Sequence, residues 1–318
     1  MDFRTYCITR DDSGRRIDRV ARRFLPGLPL SGIYKLLRKG LIRINNKKVT
    51  PDFVVTEGNE LGIAEVLDEN LQKEVFSAQN GDVDIVSMNF SIEIILETKD
   101  LLFLNKPAGI SVHGEHGLDA VIPSSISADN SLSFRTGPLH RLDHNTTGLI
   151  TFSRSLTGAT WFSSCVRSHR LEKYYLGIVR GNLAQNCEWH DLDVDAKEMI
   201  TCAVPLAHTL KTNEPFSLVR FRIITGRKHQ IRIQTSRHGF PLAGDGLYAG
   251  GVPLNGKTYF LHAWQLYFPD DRPNDVPEKL IAPLDARFRQ CVLDLFGMGT
   301  FALLECGELD WSAYEKLQ

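Results

Sequence analysis

The sequence predicts an α+β protein built from two domains. Three features carry that expectation. The amino-terminal segment is basic, with apolar residues at helical spacing. An acidic, polar stretch follows it. In the long remainder, strand-like runs dominate and helical ones are interspersed. At 318 residues the chain can hold two domains and a substantial core. No apolar run approaches the roughly 18 to 20 residues of a membrane span, and MDFRTYCITRDDSGRR lacks the apolar centre of a signal peptide. None of the six cysteines forms a CxxC pair, so reduced, packed thiols and a cytoplasmic location are expected, without a disulfide framework or thiolate zinc.

The amino-terminal elements follow from spacing. Ser13 is placed to cap a helix from about Gly14 to Leu25, stopped by Pro26 and Gly27. Ile17, Val20, Ala21 and Phe24 share one face of it, and Arg15, Arg19, Arg22 and Arg23 fall largely on the other. LSGIYKLLRKG reads as a second helix that turns Ile33, Leu36 and Leu37 inward and ends at Gly40. LIRINNKKVT reads as strand, Asn45-Asn46 turn and strand. Residues 1–50 hold 13 Lys and Arg against 4 Asp, a local balance of +9. The whole chain is at −1, which leaves −10 for the rest. Two small helices and a hairpin with basic outer faces make a phosphate-binding surface, and the implied partner is nucleic acid. Residues 64–87 are acidic and polar and read as a linker.

Beyond Asn89 the strands expected are SIEIILE and LLFLNK around Lys99-Asp100, then LITFSR after Gly148, YYLGIVRG and FSLVRFRI. Helical stretches are LTGATWFSSCVRSHRLEK and HQIRIQTSRHG, and LDARFRQCVLDLF can pack as an amphipathic helix. The result is a large, mostly antiparallel mixed sheet flanked by helices and loops.

Chemistry concentrates in a few stretches. HRLDHNTTG, 140–148, puts an aspartate, an arginine and two histidines immediately before a strand with a buried pattern. A carboxylate is a competent nucleophile toward a sugar carbon, provided a cation keeps it ionised in a partly dry pocket. Asp143 is therefore the candidate. Arg227, Lys228, His229 and Arg232 are its possible partners, with 228 and 232 on one helical face. Tyr174 and Tyr175 begin a strand and must face opposite sides, one to the core and the other able to meet a planar base. His140 and His144 are four apart, but Asn145 to Gly148 argue for a loop and no third ligand is evident, so no metal is expected. No phosphate-cradling glycine motif occurs, and no cofactor is called for.

Residues 13–63 resemble an S4 domain, a small RNA-binding module, through RKGLIRINNK and the closing GNEL turn. Behind it, NKPAGISVHG, HRLDHNTTGLITFSR, LEKYYLGIVRG, TGRKHQIRIQTSRHGFPLAGDGLYAG and LHAWQL resemble, in order, the RluA-type pseudouridine synthases, in particular RluC/RluD-like members with an amino-terminal S4 domain. The resemblance implies the pseudouridine synthase fold and isomerisation of specific uridines in RNA. It implies an S4-like domain at 1–66, a linker at 67–87 and a catalytic domain at 88–318. It makes Asp143 the essential aspartate, Tyr175 the base-covering tyrosine, Arg232 the partner of the aspartate and Leu261 the apolar residue against the base. Arg141 is then the arginine that can enter the space left by a flipped nucleotide. His140, Lys106, His229 and Gln230 are further substrate-contact candidates. Arg15, Arg19, Lys35, Arg38, Lys39, Arg43, Lys47 and Lys48 are the candidates to grip RNA. The partner implied is structured RNA, 23S-type ribosomal RNA by analogy, bound by a monomer. Thr147 replaces the family's usual serine, Gly177 its alanine and Gln234 its histidine. Asp143 either forms an adduct at C1′ or removes a C2′ proton to give a glycal; the residues do not choose. The rival reading is a non-catalytic RNA-binding or ribosome-assembly factor that keeps the fold, and a third is a metal-dependent hydrolase on His140 and His144.

Overall fold

The computed structural model describes residues 2–25, 27–65, 92–125, 131–209, 214–248, 251 and 258–306. The expected linker at 67–87 lies outside the described residues. The chain separates into two compact units, one of Met1–Phe90, Val121–Gly137 and Ser153–Ala159, the other of Ser91–Ala120, Pro138–Phe152 and Thr160–Gln318.

In the first unit, strand β1 (Phe3–Cys7) is followed by helices α1 (Ile17–Phe24) and α2 (Leu30–Lys39), then by β2 (Ile42–Ile44) and β3 (Glu60–Ala64). The strands form an antiparallel sheet in the order β1-β3-β2. Ile17, Val20 and Ala21, at i, i+3 and i+4, are fully buried with Ile33 and Leu37 of α2 and Leu61 of β3. Gly40 closes α2 in the left-handed region (φ 71°), where its N–H reaches the carbonyls of Leu36 and Leu37.

Two expectations need correction. Ser13 caps no helix: α1 begins at Ile17 behind Arg16, three residues past the expected Gly14, and the Ser13 hydroxyl accepts the Glu57 N–H at 3.3 Å. The Asn45-Asn46 turn exists, with φ of 49° and 61°, but its outgoing arm makes only one bridge, Lys47 to Ile44. β2 pairs with β3 instead, whose Leu61 and Ile63 supply the buried alternation that Lys47 and Lys48 lack.

The same unit contains a polar clasp. Asp12 is fully buried, and its carboxylate accepts hydrogen bonds from the Thr9 hydroxyl (2.9 Å), the Ser131 hydroxyl (2.8 Å), the N–H of Leu132 (3.1 Å), and the N–H (2.8 Å) and hydroxyl (2.6 Å) of Ser133. Arg15 donates to the Ser133 carbonyl and hydroxyl. A buried carboxylate is tolerated only with such a full set of donors.

The second unit is a mixed sheet. Its strands are β4 (Glu93–Glu97), β5 (Leu101–Lys106), β6 (Gly137–Pro138), β7 (Thr147–Ser153), β8 (Glu172–Arg180), β9 (Cys187–Leu192), β10 (Glu198–His208), β11 (Phe216–Ile223), β12 (Leu261–Tyr267) and β13 (Lys279–Ile281). The main order is β4-β5-β7-β12-β8-β11-β10-β9, with β13 beside β12 and β6 beside β7. β4 with β5, β8 with β12 and β11, β10 with β9 and β11, and β13 with β12 pair antiparallel, whereas β7 runs parallel to β12. The helices are α3 (Leu118–Ser125), α4 (Leu156–Arg167), α5 (Gln230–Arg237) and α6 (Ala286–Cys306). Leu176, Ile178, Phe216 and Leu218 of β8 and β11 pack against Phe288, Cys291 and Val292 of α6, so the expected amphipathic helix covers one sheet face. Helix α4 ends at Arg167, short of the expected Lys173, because His169 turns left-handed (φ 53°) and Glu172 and Lys173 join β8.

The parallel contact fixes the loop of interest. Gly148 has φ 104°, and a Cβ there would overlap the Ala263 backbone. Thr147 therefore abuts β12, with its hydroxyl 2.7 Å from His262 Nδ1. His262 Nε2–H donates to the Ala282 carbonyl, so Nδ1 accepts from Thr147, and burial holds this imidazole neutral, down to about 4. The hydroxyl at 147 thus anchors the end of 140–148.

Candidate active site

Residues 139–146 have no regular structure and wall a cleft of about 390 Å³ with β8, β12 and the start of α5. Asp143, Tyr175, Leu261, Arg141, His140, His229 and Gln230 all line it. Alternation along β8 sends Tyr175 into the cleft and Tyr174 to the opposite face, where its hydroxyl donates to Glu172 and Arg220 sits over its ring at 4.9 Å. The register sets Ala263 opposite Tyr175 and Leu261 opposite Gly177. Tyr175 and Leu261 thus share a face, with the bare Gly177 between them. A Cβ at 177 would press on Phe221 at 2.9 Å and Leu242 at 3.0 Å, which accounts locally for glycine there.

The Asp143 side chain is 15% exposed, and no hydrogen bond reaches it among the described residues. One cation and one imidazole face it: Arg232 Nη1 at 3.5 Å from Oδ2, and His229 Nε2 at 3.7 Å from Oδ1. The expected paired hydrogen bonds between Arg232 and Asp143 do not form. That fork goes to Asp245 instead, from Nε at 2.7 Å and Nη2 at 2.9 Å. Nor does Lys228 share a helical face with Arg232, because α5 starts at Gln230 behind a left-handed His229 (φ 55°), and Lys228 lies exposed in the preceding turn.

Several substrate-contact candidates prove to be struts. Lys106 is fully buried outside the cleft lining. Its ammonium donates to the carbonyls of Pro107 (2.9 Å), Ile110 (2.8 Å) and His144 (2.9 Å). All three protons are used, so the substrate-contact reading gives way to a positioning one: Lys106 ties the NKPAG turn to the residue after Asp143. Burial pushes this lysine down to about 7, opposed by the Asp143 charge. Gln230 lines the cleft but is buried, bonding Thr225, the Arg227 N–H, Thr201 and the Ile200 carbonyl. His140 Nε2 accepts the Thr151 N–H at 3.0 Å, and its ring stacks on Phe162. Burial, then the Lys173 charge, press it down to about 3, so it stays neutral. His144 lies apart from it, 3.1 Å from the Ser111 hydroxyl. Gln234 is also buried. It accepts from Thr201 and donates to Asp191 and two backbone carbonyls, which secures α5 to β9 and β10.

Electrostatics divide the remaining groups. Burial first, then the Asp143 charge, pushes the Tyr175 phenol well up, so it remains protonated and offers a flat ring rather than a base. Burial lowers His229, against the pull of Asp143, which favours a neutral imidazole; its Nδ1 lies 2.9 Å from the Tyr248 hydroxyl. The rings of Tyr259 and Tyr248 stand 4.3 and 5.0 Å from the Arg232 guanidinium carbon. Asp245, Tyr248 and Tyr259 are not among the sequence candidates. Asp245 in GDGLYAG reads alone as a turn residue, and Tyr259 sits in no motif.

In the first unit, Arg19, Lys35, Arg38, Lys39, Lys47 and Lys48 are exposed. Arg15 is engaged with Ser133, while Arg43 donates to the Gly40 carbonyl and covers the Phe3 ring at 4.2 Å.

The cleft on this mixed sheet thus sets a carboxylate beside a guanidinium and an imidazole, together with a tyrosine and a leucine, an arrangement that suits an enzyme site. The model of the RNA pseudouridylate synthase family matches residues 100–237, and that of the S4 domain matches residues 15–61. The ribosomal large subunit pseudouridine synthase C of Salmonella typhi is 30% identical over 314 residues, covering 90% of this chain and 94% of that protein. The protein of the same description from Escherichia coli K12 is 30% identical over 317 residues, covering 91% and 95%. Among solved structures, human RNA pseudouridylate synthase domain containing 4 shares the fold, with a TM-score of 0.52 at 21% identity over 63% of this chain and 91% of that one. The chain belongs to the RNA pseudouridine synthase family and carries an S4 domain; it is an RNA-modifying isomerase. No helix among the described residues is long and apolar enough to cross a membrane.

Proposed function

We propose that this enzyme converts uridines of large-subunit ribosomal RNA to pseudouridine, with Asp143 as the reacting carboxylate. The observation that carries the role of Asp143 is its state: partly exposed in the cleft, flanked by the Arg232 guanidinium and the His229 imidazole, and free of hydrogen bonds among the described residues. The relatives described as large-subunit synthases support the choice of RNA. The substrate's C1′–N1 bond breaks, the uracil turns, and a C1′–C5 bond forms as the C5 proton is lost and N1 takes one up, so the composition is unchanged. The electron count is unchanged, so the reaction needs no redox partner. Cleavage puts positive character on C1′, which an adjacent ionised carboxylate stabilises. Tyr175 and Leu261, neighbours on one face, hold the detached base within the cleft. The target nucleotide must leave its stack, at a cost of a few kcal/mol. Exposed Arg141 at the cleft offsets part of that by entering the vacated space.

Residues 1–66 form the RNA-gripping domain through the exposed Arg19, Lys35, Arg38, Lys39, Lys47 and Lys48, and 88–318 form the catalytic domain. The enzyme works as a cytoplasmic monomer. The test has two parts. Asp143→Asn should abolish pseudouridine formation while RNA binding persists; robust turnover by the pure variant rejects the assignment and favours a role in binding alone. Mapping pseudouridines in ribosomal RNA from cells with and without the protein should locate the missing positions in the large subunit. A full set in both rejects that substrate.

A further inference from the structure

Behind Asp143 lies a second carboxylate that the reaction scheme does not use. Asp245 is 1% exposed, and both its oxygens take the Nε–Nη2 edge of Arg232 at 2.7 and 2.9 Å, while the Leu247 N–H donates to Oδ1 at 3.2 Å. The rings of Tyr248 and Tyr259 confine the same guanidinium. Burial works against the charged arginine, but the hydrogen bonds to Asp245, with the charges of Asp245 and Asp143, outweigh it. A guanidinium has one edge suited to a carboxylate fork at a time in such a box. With that edge committed, Arg232 meets Asp143 only through Nη1, at 3.5 Å.

We propose that Asp245 is a positioning residue for the isomerisation: it holds Arg232 edge-on so that one guanidinium serves two carboxylates, leaving Asp143 ionised but unclamped. The balance is one positive charge against two negative ones. Without Asp245 the arginine is free to turn its fork on Asp143, tying up both oxygens and neutralising the charge that must face C1′. Other charged or titratable groups facing this site are Lys106 and Lys228, the imidazole of His229 and the phenols of Tyr175, Tyr248 and Tyr259. Asp245 supplies the anion that counters Arg232 at hydrogen-bond distance.

The inference rests on Asp143 being the reacting group, and the experiment separates the two. Turnover on an RNA substrate is followed against pH for the full-length wild type and for D143N, D245N, D245E, R232A and R232A/D245N. D245N should lower kcat by between about tenfold and a hundredfold. KM should stay within about threefold of wild type. The acid limb of kcat should move to lower pH, since Asp143 then faces an undivided positive charge. D245E keeps the charge and should leave the limb in place. In the R232A background D245N should cost nothing further, because Asp245 acts only through Arg232. A near-wild-type kcat with an unmoved limb in D245N overturns the proposal, as does an equal penalty in both backgrounds. If D245N does not fold, the pair R232A and R232A/D245N decides: an added loss of kcat in the double variant overturns it. Turnover by D143N would instead sink the reading of Asp143.

Discussion

Asp12 and Asp143 are both aspartates in irregular segments, one in each compact unit, and their surroundings are opposite. Around Asp12, hydroxyls and N–H groups from Thr9, Ser131, Leu132 and Ser133 use every available lone pair, and water is excluded. Around Asp143 the nearest ionisable partners are the Arg232 guanidinium at 3.5 Å and the His229 imidazole at 3.7 Å, and the cleft is open beside it. A carboxylate whose lone pairs are all engaged is a strut. One held by charge alone keeps a lone pair for chemistry. Asp245, as buried as Asp12 and with its own fork of donors, falls in the first class.

The largest expected effect is on turnover. Asp143→Asn should reduce pseudouridine formation by on the order of a thousandfold or more while leaving the unfolding midpoint near wild type. Asp12→Ala should do the reverse, destabilising the protein by about 3 kcal/mol because several buried donors lose their acceptor. Urea denaturation and turnover per folded molecule measure both. If Asp12→Ala left stability unchanged, the strut assignment would be wrong.

Acid should act on the two units in different windows. Burial tends to raise Asp12, but hydrogen bonds from Ser133, Leu132, Ser131 and Thr9 outweigh it and hold it below the ordinary 3.8. Its stabilisation is present above that value and lost as pH falls through the folded-state one. His262, lowered to about 4, and His140, lowered to about 3, start from 6.5. The unfolded chain takes up those protons first, so stability falls as pH drops from 6.5 toward 4. Unfolding free energy measured from about pH 8 to about pH 3 should show both slopes, and His262→Gln should flatten the upper one. An unchanged upper slope in that variant would place the acid sensitivity elsewhere.

The smallest effect concerns the exposed basic face. Replacing Arg38, Lys39 and Lys48 by alanine should weaken RNA binding at low salt. The slope of log K against log salt should fall by about one for each phosphate no longer neutralised. RNA binding measured at several salt concentrations checks this. An unaltered slope would mean that the first unit does not supply the grip.

Asp143 is legible in the sequence because HRLDHNTTG is too polar for the strand it precedes. Tyr175 follows from period-two alternation, and Leu261 from an apolar block resembling the family's. Lys106 stands out in the sequence, but its role does not, since nothing local reveals that three carbonyls from 107, 110 and 144 converge on it. Arg232 is legible as a partner of Asp143, but the fork it makes with Asp245 joins positions 13 residues apart through a bend in the chain. The Ser13 cap does not form because Gly14, the expected first helical residue, stands in the left-handed region (φ 77°), and the Ser13 hydroxyl meets the Glu57 N–H instead.

By itself the sequence determined the order and type of most elements, the basic amino-terminal face and the loop that carries the candidate carboxylate. All of these are written in periodicity, turn chemistry and charge, which act over a few residues. Only the tertiary structure decided which polar groups became struts and which stayed free. That depends on where donors from distant segments meet, and on how little water remains when they do.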